Sequence, residues 1–154
     1  MKEQPISVLY VDDEINNLVA FTANFRQHFK IFTAASAQEG LEILEKEEIH
    51  VIITDQRMPG MKGVGFLEAV AEKFPEPVRI MLTGYSDIEA VIEAVNKTHI
   101  YKYITKPWKD EELTAAIEDA YRVYQRSKER KELVSKLTRA NEQLEFMLRD
   151  KLIS

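Results

Sequence analysis

The chain has 154 residues, 45% of them hydrophobic and 31% charged, enough for one packed domain with an appendage and too few for two full domains. It has no cysteine, which excludes disulfides and thiolate metal sites, and no apolar run near the roughly 18 residues of a membrane span or signal-like h-region, so a cytoplasmic protein without membrane association is expected. The net charge of -5 is split: residues 1–121 carry 12 Lys+Arg against 21 Asp+Glu, and residues 122–154 carry 9 against 5. An acidic body argues against a protein that coats nucleic acid, and the basic tail reads as a separate functional piece.

Ile6–Val11 (ISVLYV) is a short β-branched apolar run of the kind buried in a parallel sheet. Ile15 to His28 reads as a helix, with Leu18, Phe21, Ala23 and Phe25 near helical spacing. Lys30–Ala34 is a short strand, and Ser36 is an N-cap for a helix over Ala37–Lys46, with Glu39 completing a capping box. Val51–Asp55 (VIITD) is a second strongly apolar strand. After the loop Gln56–Gly63 a helix runs through Lys73 and is stopped by Pro75 and Pro77. Val78–Thr83 (VRIMLT) is a fourth strand, Asp87 opens a helix carrying Ile88, Val91, Ile92 and Val95, and Tyr101–Thr105 is a fifth strand. Five strands alternating with helices through short connections predict an α/β fold, a parallel sheet covered on both faces with right-handed crossovers.

In such open sheets ligands bind outside the carboxyl ends of the strands. Asp12 and Asp13 end the first strand, Asp55 the third, Thr83 the fourth, and Lys106 the fifth. Singly, each is an ordinary loop or cap residue; as a set they share one end of the sheet. Three carboxylates held together repel unless a cation or protons intervene. Few hard oxygen ligands favour Mg²⁺, which shares its shell with substrate phosphate, and a nearby Lys is a compact charge suited to a phosphoryl oxygen. This is the arrangement needed to form an aspartyl-phosphate. The histidines, His28, His50 and His99, have no metal-ligand spacing and read as structural.

The segments VLYVDDE at 8–14, IITDQRMPGMKG at 52–63, MLTGYSD at 81–87 and YITKPW at 103–108 resemble the receiver domains of bacterial two-component response regulators, over about residues 5–125. The resemblance implies a flavodoxin-like, doubly wound five-stranded sheet of order 2-1-3-4-5. It implies that Asp55 takes a phosphoryl group from a phosphohistidine on a sensor histidine kinase or phosphotransfer protein. It further implies that Asp12, Asp13, Asp55 and the Arg57 backbone carbonyl hold Mg²⁺, that Lys106 pairs with the phosphoryl oxygens beside a cis Lys106–Pro107 bond, and that Thr83 moves its hydroxyl onto the phosphoryl group. Tyr103 matches an aromatic switch whose ring turns inward when Thr83 moves; alone, it fits a core-facing strand aromatic equally well. Any catalysis would be limited to self-catalysed phosphotransfer and autodephosphorylation. Lys62 departs from the commonest pattern, and the bulky Arg57 and Tyr85 would shape water access to the acyl phosphate. TGYSD and KPW look like receivers attached to cyclic-dinucleotide enzymes, phosphatases or cyclases.

From Asp110, an N-cap candidate, no Pro or Gly interrupts the chain to Ser154, so a helix of ~40 residues, about 60 Å long, is expected. Leu113, Ala116, Ile117, Ala120 and Tyr124 form a stripe for packing on the sheet. Beyond it, Val134, Leu137, Asn141, Leu144 and Leu148 follow the three–four spacing of a coiled-coil seam, with Asn141 at an a position that favours a parallel dimer in fixed register. Leu133, Ala140 and Met147 widen the stripe and leave room for a larger bundle or a helical partner. The expected organisation is a receiver over 1–125 and a helical coiled-coil extension over 126–154, giving a homodimer with no direct DNA binding. The other reading makes the tail a linker to a catalytic output domain, a cyclase, phosphodiesterase or phosphatase; a transcription factor is disfavoured because ~30 tail residues cannot hold a helix-turn-helix domain.

Overall fold

The structure, a computed structural model, describes residues 4–58, 61–84, 92 and 100–153. The elements run β1 Ser7–Val11, α1 Ile15–Phe25, β2 Lys30–Ala34, α2 Ala37–Lys46, β3 Val51–Asp55, α3 Gly63–Lys73, β4 Val78–Thr83 and β5 Lys102–Thr105, followed by the C-terminal helix Asp110–Ile153. The helix expected from Asp87, apart from Ile92, lies outside the described residues, as do Tyr85 and His99.

All four strand pairings are parallel and the order is β2-β1-β3-β4-β5. The apolar runs become the central strands: β1, β3 and β4 are buried at every residue, whereas the edge strands β2 and β5 are mixed. Alternation along each strand divides the core. Tyr10, Ile53 and Leu82 face α1 and the first turns of the C-terminal helix, and Leu9, Ile52 and Met81 face α2 and α3. The stripe Leu113, Ala116, Ile117, Ala120 and Tyr124 is buried on the first of these faces.

Local details differ from the sequence reading. The first helix stops at Phe25 rather than His28: Ala23 is exposed, and Phe29, just past the helix, supplies the next buried ring. Ser36 caps α2 by accepting from the Glu39 N–H at 3.1 Å, but Glu39 reaches past the cap residue to accept from the Ala35 N–H at 2.8 Å, a displaced capping box. Asp110 lies inside the first turn of the C-terminal helix, not at its cap, because the first helical bond runs from Leu113 N–H to the Lys109 carbonyl; its carboxylate still favours the positive end of the helix dipole.

Two compact units are distinguished, Met1–Tyr124 and Gln125–Ser154. In the second, every described side chain from Gln125 to Leu152 is exposed. Among the described residues no helix is long and apolar enough to cross a membrane.

Candidate functional site: an acidic pocket at the carboxyl edge of the sheet

The parallel register brings the strand ends together. Val11 lies beside Ala34 and Thr54, Asp55 beside Leu82, and Thr83 beside Thr105. Main-chain bonds extend this edge beyond the strands: Asp12 N–H donates to the Ala34 carbonyl, Gln56 N–H to Leu82, and Lys106 N–H to Thr83. The polar residues that follow are therefore placed by rigid backbone, not by loop flexibility.

Asp12, Asp13 and Asp55 each offer a carboxylate oxygen, and these oxygens lie within 4.8 Å of one another. Asp12 and Asp55 are buried and Asp13 is exposed, so the cluster has one open side. Lys106 Nζ donates to Asp55 Oδ1 at 2.7 Å, and the Lys106–Pro107 peptide is cis. Burial pushes the Asp55 carboxyl above the usual carboxylate range; Lys106 opposes that shift, and the Asp12 charge adds to it. Asp12 is itself tightly held. It accepts from the Tyr10 hydroxyl at 2.6 Å, the Glu14 N–H at 2.9 Å and the Asn17 amide at 3.0 Å. Burial, reinforced by the bond to Asp12, pushes the Tyr10 hydroxyl far above the usual phenol range, so it serves as a donor.

Thr83 is buried at the end of β4, next to the residue paired with Asp55, and its hydroxyl donates to the Gly84 carbonyl at 3.2 Å. Tyr103 lies on β5 beside Met81 and is 39% exposed; it is not a core-facing aromatic. Arg57 is exposed two residues past Asp55. The seam residues Val134, Leu137, Asn141, Leu144 and Leu148 all belong to the second unit.

Residues that the motif reading did not single out build the rest of the pocket. Gln56 is buried, accepts from Gly63 N–H through its carbonyl, and accepts from Val64 N–H through Oε1 at 3.0 Å. It thereby folds the loop after Asp55 back onto the start of α3. That return passes so close that a Cβ on Gly63 would lie 2.4 Å from the Asp55 carbonyl oxygen. Tyr10 and Asn17 carried only a weak signal, a hydroxyl two residues before Asp12 on the same strand face and an amide five residues after it.

The donor set suits a small hard cation. Three carboxylate oxygens gathered on one side of a cluster open to solvent fit Mg²⁺, which takes few protein ligands and keeps several waters. Softer metals would favour the imidazole or thiolate ligands that this cluster lacks.

The model of the response regulator receiver domain matches residues 8–118. The chain belongs to this family. Receiver domains bind Mg²⁺ through an acidic cluster such as Asp12, Asp13 and Asp55 form, and they interact with histidine kinases or phosphotransfer proteins. This receiver is 39% identical over 123 residues to the hydrogenase transcriptional regulatory protein HoxA of Bradyrhizobium diazoefficiens, covering 80% of this chain and 25% of that protein. It spans about a quarter of the length of the curated relatives it matches. Among solved structures, a chain described as adenylate cyclase from Rhodopirellula baltica is similar at TM-score 0.82 and 30% identity, with 86% of this chain and 99% of that chain covered. The signal receiver domain of an HD domain-containing protein from Pseudomonas fluorescens Pf-5 is similar at TM-score 0.78 and 27% identity, with 84% and 96% covered. The chain is a receiver domain of a signalling regulator.

Proposed function

We propose that Asp55 is the phosphoacceptor of this receiver, which acts in the cytoplasm and takes a phosphoryl group from a phosphohistidine of a sensor histidine kinase or phosphotransfer protein. The P–N bond of the donor breaks as a P–O bond forms to an Asp55 carboxylate oxygen, and the imidazole leaves. Asp12, Asp13 and Asp55, with the Arg57 carbonyl, would hold Mg²⁺, whose charge offsets that on the phosphoryl oxygens during transfer. Lys106 gives up its bond to Asp55 and pairs with a phosphoryl oxygen; Thr83 turns its hydroxyl from the Gly84 carbonyl to another. Tyr103, exposed on β5, would turn its ring inward as Thr83 moves. Transfer is catalysed by the pocket itself, and so is any loss of the phosphoryl group to water.

The observation that supports this most directly is the 2.7 Å Lys106–Asp55 pair inside a cluster of three carboxylates. The test is acid-labile phosphate incorporation from a small phosphodonor with Mg²⁺. Asp55→Asn abolishes it; incorporation retained by that variant places the acceptor elsewhere.

For the output, the reading is a receiver over 1–125 joined to a coiled-coil extension over 126–154 that pairs two copies in parallel through Val134, Leu137, Asn141, Leu144 and Leu148. The exposure of Val134, Leu137, Leu144 and Leu148, between 56% and 62% in the isolated chain, supports a face that needs a partner. The share of the relatives' length that is matched supports a second reading, in which these residues are the regulatory part of a longer protein. The tail is then the linker to an output domain: a cyclase, as the description of the Rhodopirellula baltica neighbour suggests, a phosphodiesterase or phosphatase, or a domain serving transcriptional regulation, as the name of HoxA suggests.

A further inference from the structure

We infer that Tyr10 and Asn17 are positioning residues that fix the Asp12 carboxylate so that it presents one defined oxygen lone pair to the cation. An ionised carboxylate has about four lone-pair sites. Three protein donors already occupy Asp12: Tyr10 and Asn17 on Oδ2, and the Glu14 backbone N–H on Oδ1. The two side chains approach from different elements, Tyr10 from β1 and Asn17 from the first turn of α1, so Asp12 is braced between strand and helix.

The position of the Tyr10 hydroxyl is set by packing. Its ring is buried in the core, 4.4 Å from Phe21, which in turn lies 4.7 Å from Phe25 on the same helix. Asn17 is also anchored, donating to Glu14 Oε2 at 3.3 Å. A ligand oriented before the cation arrives loses less rotamer freedom on binding. Partners that orient metal ligands change affinity by on the order of tenfold or more when removed. Asp13, exposed and next in sequence, is left as the adaptable ligand.

The inference rests on the Mg²⁺ reading above, so the experiment separates the two. Mg²⁺ is titrated calorimetrically into the intact wild-type chain and into Tyr10→Phe, Asn17→Ala and Asp12→Asn, with circular dichroism as the folding control. Tyr10→Phe keeps the ring and removes only the donor; it raises the Mg²⁺ Kd on the order of tenfold, Asn17→Ala shifts it in the same direction, and Asp12→Asn shifts it further. In phosphodonor assays the half-saturating Mg²⁺ of Tyr10→Phe rises by more than its maximal rate falls, which a general loss of structure would not produce. Folded Tyr10→Phe and Asn17→Ala proteins that bind Mg²⁺ as tightly as wild type, while Asp12→Asn does not, overturn the positioning role alone. Wild type that takes up no Mg²⁺ overturns the reading beneath it as well. If Tyr10→Phe does not fold, Asn17→Ala, which reaches the same oxygen from a half-buried position, decides the matter.

Discussion

Lys106 Nζ sits 2.7 Å from Asp55 Oδ1, bridging the ends of β3 and β5 across the intervening β4. The pair is only partly shielded, with side-chain exposures of 36% and 10%. Lys106→Met leaves Asp55 facing Asp12 without a cation, and the expected loss is roughly 1–2 kcal/mol, below the range for a fully buried pair. Urea unfolding with and without Mg²⁺ checks it: the loss is largest in metal-free buffer and shrinks when Mg²⁺ is added.

Asp55 also sets a pH dependence. Its folded pKa is raised, chiefly by burial, so the folded state binds this proton more tightly than the unfolded chain does. The contribution to stability is full below the unfolded value of about 3.9 and is lost as pH rises through the higher folded value. Metal-free wild type should therefore lose this contribution over the window that opens near the unfolded value and extends upward. Asp55→Asn removes that component from the pH profile of Tm, and Mg²⁺ diminishes it in wild type. An unchanged profile in the Asn variant would assign the slope to other groups.

Gly63→Ala puts a methyl group against the Asp55 main chain, where nothing flexible can yield. The expected cost is about 1–3 kcal/mol, read from denaturant midpoints. Phosphate incorporation should also fall, because relieving the clash moves the loop that follows Asp55.

His50 closes the opposite edge of the sheet. Its Nδ1 accepts from the buried Ser7 N–H at 2.9 Å, and its ring lies 5.0 Å from Tyr121 and 4.8 Å from Tyr124. His50→Phe keeps a ring against the tyrosines but strands the Ser7 donor, at a cost of about 1–3 kcal/mol. The same measurement on His50→Gln, which can restore an acceptor, should show a smaller loss.

In the tail, Leu144→Glu places a charge in the proposed seam and Phe146→Glu places one on the far side of the helix. Light scattering should show two chains for wild type and Phe146→Glu, and one for Leu144→Glu. Phosphate incorporation at Asp55 is expected in all three. A monomeric wild type would remove the dimer and favour the linker reading.

Much of the fold was legible because its signals are local and repeated. Continuous apolar runs such as VIITD and VRIMLT mark strands buried on both faces, and they proved to be β3 and β4. Asp12, Asp55 and Lys106 were legible for a related reason: strand ends in a parallel sheet must converge, so their proximity followed from topology. Less legible were details set by tertiary packing. Ala23 and Phe25 lie on a similar apolar pattern, but the chain turns after Phe25, and Phe29 fills the core instead. Gln56 looks like any loop glutamine until the return at Gly63 buries it. Tyr10 gives only a weak sequence sign that its hydroxyl will meet Asp12, since its ring alone satisfies the strand pattern.

The bridge from Asp55 to Lys106 links positions 51 residues apart, and Lys106 comes into place only through the pairing of β5 with β4. Contacts of such sequence separation carry a larger loop-closure cost than local ones. The three carboxylates of the pocket all lie at or before the end of β3, whereas the ammonium lies beyond β5. A change that loosens the edge strand β5 therefore reaches Asp55 through Lys106, without touching any of the three carboxylates.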